Sequence, residues 1–317
     1  MNIEVDACSN MGCVRDTNED MILLMDQFIR DNAISFSMSL NTEDRFIAAV
    51  ADGMGGHNGG EVASEDSVRD LDSFFYGLPD KLSSELFMES FKQWIQQVHR
   101  LIMLKGNSHP DLSGMGTTLV GLLVYENKIF WINCGDSRLY RLRGEILCQI
   151  STDHSLREMT GNAQAPSNII MNSIGAGETV FLDITEISGS VFDGDAFLLC
   201  SDGLNDMLDD EQIESALIKG NASSLVEEAL KAGGKDNVSV CLIRFSKMKD
   251  DKPDDIQESI GNNPKQPEDI SVESSEIDTE TEDEDAGNNK TEAIHGVMSK
   301  EAKRGFLDKF LSRKDKK

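Results

Sequence analysis

The chain has 317 residues, with 57 Asp and Glu against 30 Lys and Arg, for a formal net charge of −27. That balance leaves no broad positive face on the main body for nucleic acid or an anionic membrane, so a phosphate-bearing substrate must be met by local cations. Hydrophobic residues at 39% and only 6 prolines suffice for one large core or two smaller ones.

From the N-terminus, MNIEVDACSN lacks the basic and apolar regions of a secretory leader, and nowhere do apolar residues run long enough to cross a bilayer; the expected location is the cytoplasm. The run RFIAAVAD predicts a buried strand that empties into GMGGHNGGEVAS, where Gly53, Gly55, Gly56, Gly59 and Gly60 free the backbone for close approach. A phosphate-cradling loop would carry a lysine, and this loop has none. Asp52 instead offers a hard anionic oxygen of the kind magnesium or manganese prefers.

EVASEDSVRDLDSFF sets Val62, Val68, Leu71 and Phe75 on one stripe. SSELFMESFKQWIQQVHRLIML sets Leu86, Phe91, Trp94, Ile95, Val98, Leu101 and Ile102 at three- and four-residue spacing behind a Ser83 or Ser84 cap. Both predict amphipathic helices. TTLVGLLVY, KIFWINCG, RLYRL and DAFLLCS read as strands, DDEQIESALIKG and ASSLVEEALKAGG as a helical pair near residues 209–232, and NVSVCLIRF as a last strand. Helices set against mostly antiparallel strands make an α+β layered fold. Cys8, Cys13, Cys134, Cys148, Cys200 and Cys241 show no CxxC spacing and read as reduced core residues.

Past Ser246 the composition changes. Residues 250–290 hold 15 acids and 3 bases, which predicts a disordered acidic linker over 247–298. From Lys300 the sign reverses, with 8 bases and 3 acids; Phe306, Leu307, Phe310 and Leu311 share one side of a short helix flanked by Lys303, Arg304, Lys309, Arg313 and Lys314. Residues 299–317 are therefore either a docking element for an acidic protein groove or anionic lipid, or a frayed solvated tail.

Five motifs set an aspartate at a predicted strand end or turn: NED (Asn18 to Asp20), ADG (Ala51 to Gly53), CGDSR (Cys134 to Arg138), CSDG (Cys200 to Gly203) and KDN (Lys235 to Asn237). Each alone is an ordinary turn former. If they meet at one rim, carboxylates about 4 Å apart repel by roughly 4 kcal/mol per pair at a dielectric near 20, and cations must hold them.

With GCVRDTNED, ADGMGGHNGGEVAS, GMGTTLV, NCGDSRLYRLRGE, TDHSL, LLCSDGLNDML and GGKDNVSV in order over about residues 9–245, the sequence resembles the metal-dependent type 2C Ser/Thr protein phosphatases, the PPM family, in its bacterial branch. The resemblance implies a four-layer αββα sandwich over residues 1–246, two antiparallel sheets flanked by helices, with two Mn²⁺ or Mg²⁺ ions at one end. Asp52 would bridge them, Asp202 and Asp236 would complete one ion's ligands, and Glu19 and the Gly53 carbonyl would serve the other. Asp20 would hold a metal-bound water, Asp136 with Asp202 a weaker third ion, and Arg15 the phosphate. The implied reaction is hydrolysis of phosphoserine or phosphothreonine by direct attack of a hydroxide bridging the ions. The implied partners are phosphoproteins, a Ser/Thr kinase and its substrates, in signalling, and a monomer is expected.

Two departures stand out. Eukaryotic members carry a histidine where this chain has Met54, proposed there as general acid; His57, three residues on, reads as structural. The segment LREMTGNAQAPSNIIMNSIGAGE replaces a usually longer flap and reads as mobile and substrate-facing. Alternatives from other classes are a pseudophosphatase scaffold, which would have lost a metal acid, and a hydrolase of small phosphorylated metabolites.

Overall fold

Apolar side chains fall on both faces of RFIAAVA, as a strand between two cores requires: Ile47, Ala49 and Ala51 enter one buried cluster, while Phe46, Ala48 and Val50 enter another. The computed structural model describes residues 1–55, 59–166 and 168–247. His57 and, save Lys247, the segments expected over 247–298 and 299–317 lie outside the described residues.

In chain order the elements are β1 (Asn2–Asn10), β2 (Met21–Leu24), β3 (Gln27–Ile29), β4 (Ala33–Ser39), β5 (Arg45–Ala51) and β6 (Gly53–Met54), then helices α1 (Gly59–Tyr76) and α2 (Ser84–Ser108). There follow β7 (Gly116–Thr117), β8 (Leu119–Tyr125), β9 (Lys128–Cys134), β10 (Arg138–Arg143), β11 (Ile146–Gln149), α3 (Leu156–Thr160), β12 (Asp183–Glu186) and β13 (Ala196–Cys200). The described part closes with α4 (Asp202–Asn205), α5 (Asp210–Lys219), α6 (Ala222–Lys231) and β14 (Val238–Ser246).

Two six-stranded antiparallel sheets result, ordered β11-β10-β13-β14-β1-β4 and β12-β9-β8-β5-β2-β3, with β6 and β7 forming a separate short ladder. Between the sheets, Ile3, Val5 and Ala7 of β1 and Cys241, Ile243 and Phe245 of β14 pack with Phe46, Val50 and Leu122. Leu71, Phe75, Phe91 and Trp94 of α1 and α2 cover the outer face of the second sheet, and Leu204, Ile213 and Leu225 of α4 to α6 cover that of the first. This is the αββα layering the resemblance implied.

Local signals place the helices. The Ser83 hydroxyl accepts the Leu86 N–H and so caps α2, and α5 and α6 open with reciprocal capping boxes from Asp209 and Gln212 and from Asn221 and Ser224. Leu101, expected on the buried stripe of α2, is 40% exposed. TTLVGLLVY is split at Thr118 into β7 and β8. Of the cysteines, Cys134, Cys200 and Cys241 are buried, Cys8 is half-buried, and Cys13 and Cys148 are exposed rather than in the core; all six are free thiols. Among the described residues no helix is long and apolar enough to cross a membrane.

Candidate active site

Strand ends place the acids. Asp52 directly follows β5, Glu19 and Asp20 directly precede β2, and the Met21–Ala51 pairing of those strands sets Asp20 beside Asp52. In the other sheet, Cys200 pairs with both Arg138 and Val240, so Asp136 before β10, Asp202 after β13 and Asp236 before β14 leave by one rim. All the acids singled out in the sequence meet there.

Their charges register one another. Burial, then the charges of Asp202, Asp20 and Asp136, hold the Asp52 carboxyl well above the usual carboxylate range. Burial first, with Asp202 and Asp236 adding to it against the Ser201 and Ser239 hydroxyls, pushes Asp20 up to about 7. Burial and the Asp202 charge push Asp136 to about 7, and burial with Asp206 and Asp236 pushes Asp202 to about 6. Glu19 is raised by burial, with Arg15 opposing and Asp236 adding.

Around the acids lies a neutral scaffold whose residues sit inside the motifs but were given no role there. The Ser201 hydroxyl donates to Asp20 Oδ2 at 2.8 Å and accepts the Ser239 N–H at 3.0 Å. Asn237 Oδ1 accepts the Glu19 N–H at 2.8 Å, while its Nδ2 donates to the Met11 and Thr17 carbonyls at 2.8 and 2.9 Å, fixing the loop that carries Arg15. The clue was present in LLCSDG and NVSVCL, where small polar residues interrupt apolar strands.

Two glycines are needed for space. A Cβ on Gly53 would lie 2.1 Å from the Gly60 carbonyl, and one on Gly60 would lie 2.7 Å from the Glu19 carboxylate. Arg15 stands at the exposed rim, where its Nη2 donates to Asp236 Oδ2 at 2.6 Å.

Asp20 Oδ1 and Asp136 Oδ1 are buried without a hydrogen-bond partner. An orphaned buried acceptor costs about 1–3 kcal/mol, and a charged one more. Among the described residues no three His, Cys, Asp or Glu side chains are placed so that together they could hold a metal ion. The donor set, however, is all hard oxygen, mutually repelling and partly unpartnered, and that fits a divalent cation.

The short segment after TDHSL is tied to the glycine loop at Ile174. Thr117 and Ile174 exchange backbone hydrogen bonds of 2.9 Å each, while the Thr117 hydroxyl donates to the Asp52 carbonyl at 2.8 Å. His154 Nδ1 receives both the Gly135 N–H at 3.1 Å and Asn172 Nδ2 at 2.7 Å, so its hydrogen sits on Nε2, 3.1 Å from Asp183 Oδ2. His154 thus holds the turn ahead of Asp136.

The family description "Protein phosphatase 2C" matches residues 29–240. This chain belongs to the protein phosphatase 2C family. It is a protein-serine/threonine phosphatase of the bacterial branch. The serine/threonine phosphatase stp of Listeria monocytogenes is 34% identical over 218 residues, 64% of this chain and 86% of that protein. The protein phosphatase PhpP of Streptococcus pneumoniae is 30% identical over 261 residues, 77% and 98% of the two chains. Among solved structures, the S. agalactiae serine/threonine phosphatase superposes with a TM-score of 0.65 at 28% identity, covering 77% of this phosphatase and all 100% of its own chain. The catalytic domain of the phosphatase PstP, solved in complex with 2 manganese ions, gives 0.59 at 30% identity and covers 78% of this chain and 100% of its own.

Proposed function

We propose that this phosphatase removes phosphate from phosphoserine and phosphothreonine side chains of proteins, using two Mn²⁺ or Mg²⁺ ions held by Asp52, Asp202, Asp236, Glu19 and the Gly53 carbonyl. The observation that carries this reading is the gathering of buried, mutually repelling acids at one rim, two of them with an unpartnered oxygen. Two divalent cations held there would supply an activated water for direct attack and would neutralise the charge of an in-line displacement.

The chain's own residues do the rest. Arg15, half exposed at the rim, offers a planar fork for two phosphate oxygens, the local cation that an acidic protein needs for a phosphoprotein. Asp20, seated on the Ser201 hydroxyl, keeps its other oxygen for orienting water, and Asp136 with Asp202 has the charge for a weaker third ion. Glu19, Asp20, Asp52, Asp136, Asp202 and Asp236 are all retained, which argues against a scaffold that has lost its chemistry. Unpaired cysteines suit a cytoplasmic enzyme acting as a monomer opposite a Ser/Thr kinase in signalling. We assign residues 1–246 to the catalytic domain, 247–298 to an acidic tether and 299–317 to docking on a protein groove or anionic lipid, a role tested by deleting 299–317 and measuring localisation and turnover.

Phosphate release from a phosphothreonine peptide and from p-nitrophenyl phosphate, each with Mn²⁺ and with EDTA, tests the whole reading. Peptide turnover that needs Mn²⁺ is expected. No release from either substrate would leave a binding scaffold, and release from small phosphates alone would leave a metabolite hydrolase.

A further inference from the structure

Arg30 lies in none of the motifs that carry the family likeness, yet its guanidinium sits where the Glu19–Asp20 pair meets α1. From the residue after β3, Nε donates to the Asp20 carbonyl at 3.0 Å, Nη1 to Glu61 Oε1 at 2.8 Å and Glu65 Oε2 at 3.5 Å, and Nη2 to the Glu61 carbonyl at 3.1 Å and the Ser64 hydroxyl at 3.3 Å. Ser64, fully buried, donates in turn to the Glu19 carbonyl at 2.6 Å. Both carbonyls of the Glu19–Asp20 pair are therefore held, one by Arg30 directly and one through Ser64, against the first turns of α1.

The need for such a clamp follows from charge. Asp20 is 1% exposed with Oδ1 unpartnered, and the pair stands among the other acids of the rim, so before a cation arrives it gains by moving out toward water. We infer that Arg30 is a positioning residue, which preorganises Glu19 and Asp20 beside Asp52 for the cation by fastening their peptides to α1. The cation then meets an assembled donor set and has no loop to order on arrival. Arg45 provides the matched contrast. It clamps the other end of α1, donating to the Phe75, Leu78 and Pro79 carbonyls at 3.3, 3.0 and 3.1 Å and to Asp80 at 2.7 Å, and touches no acid of the site.

The inference rests on the metal reading above, and calorimetric Mn²⁺ titration of the full chain separates the two. Arg30→Met is expected to weaken Mn²⁺ binding about tenfold, the range seen when a group supporting a metal ligand is lost. Its kcat should recover at saturating Mn²⁺, with KM for a phosphothreonine peptide unchanged. Arg45→Met is expected to lower the melting temperature while leaving Mn²⁺ affinity as it was. Wild-type protein that binds no Mn²⁺ overturns both readings. Wild-type binding with equal affinity in Arg30→Met, or an equal loss in Arg45→Met, overturns the positioning role alone. Should Arg30→Met not fold, Ser64→Ala removes one hydroxyl from the same chain of bonds; weaker Mn²⁺ binding is expected, and unchanged affinity overturns the proposal.

Discussion

Asp20 and Asp195 are equally buried, each 1% exposed, and the protein treats them in opposite ways. Burial pushes Asp195 up, but Arg143 grips it with Nε and Nη2 at 2.7 and 2.8 Å and the Phe192 N–H adds a third bond, so its pKa ends below the usual value. Asp20 receives a hydroxyl on one oxygen and nothing on the other, and ends near 7. An acid buried for stability brings its cation with it in the chain. An acid buried for chemistry is left short of one, and the deficit is what a metal ion fills.

The largest test of that contrast lies at the acids themselves. Asp52→Asn or Asp202→Asn should cut kcat by at least about a thousandfold, roughly 4 kcal/mol of barrier, in a protein that still folds, measured at saturating Mn²⁺. Unchanged turnover in either variant would remove both from the metal site. Next in size is stability: Asp195→Asn should destabilise, because the buried carboxylate that Arg143 and the Phe192 N–H hold is lost, whereas Asp20→Asn in EDTA should cost nothing or stabilise. Equal losses in urea unfolding would erase the distinction between the two acids.

A smaller effect belongs to Arg15→Ala. Steady-state kinetics should show KM raised about tenfold with kcat less changed, if the fork grips ground-state phosphate as strongly as the transition state. The smallest effect is in pH. Asp20, Asp136 and Asp202 have folded values near 7, 7 and 6, above the ordinary carboxylate, so the native state keeps protons that the unfolded chain releases. Their contribution is full below about pH 4 and fades as pH rises through about 6–7. Asp195, lowered, contributes with the opposite sign and loses its contribution as pH falls. Scanning calorimetry in EDTA should therefore find the melting temperature drifting down between about pH 4 and 7, with Mn²⁺ removing the drift. A flat profile without metal would mean that neither burial nor repulsion holds these acids above the ordinary carboxylate.

The acids were legible in the sequence because each sits at a place where an apolar run starts or stops. The partners that position them were not, because they come from far along the chain: Arg15 meets Asp236 and Ser201 meets Asp20 across the joined ends of different strands. The N-terminal strands were passed over for another reason. NIEVDACSN does alternate, with Ile3, Val5 and Ala7 buried, and AISFSMS sets Ile34, Phe36 and Met38 on one side, but acids and serines on the other face dilute the apolar signal. β12 is four residues with none buried, and only its pairing with β9 makes it a strand. Leu101 fits a helical stripe by spacing yet faces water, since periodicity gives a face and not its edge.

The short ladder of β6 and β7 has a consequence for modularity. Gly53 pairs with Thr117, and Thr117 pairs in turn with Ile174, so the segment after TDHSL is in effect a third rung laid beside the glycine loop. Such a segment is not a cassette. Transplanting the corresponding loop from a relative to retune selectivity would also reset the backbone on which Gly53 lies, and swaps would have to be made with both ladders together to change one property without the other.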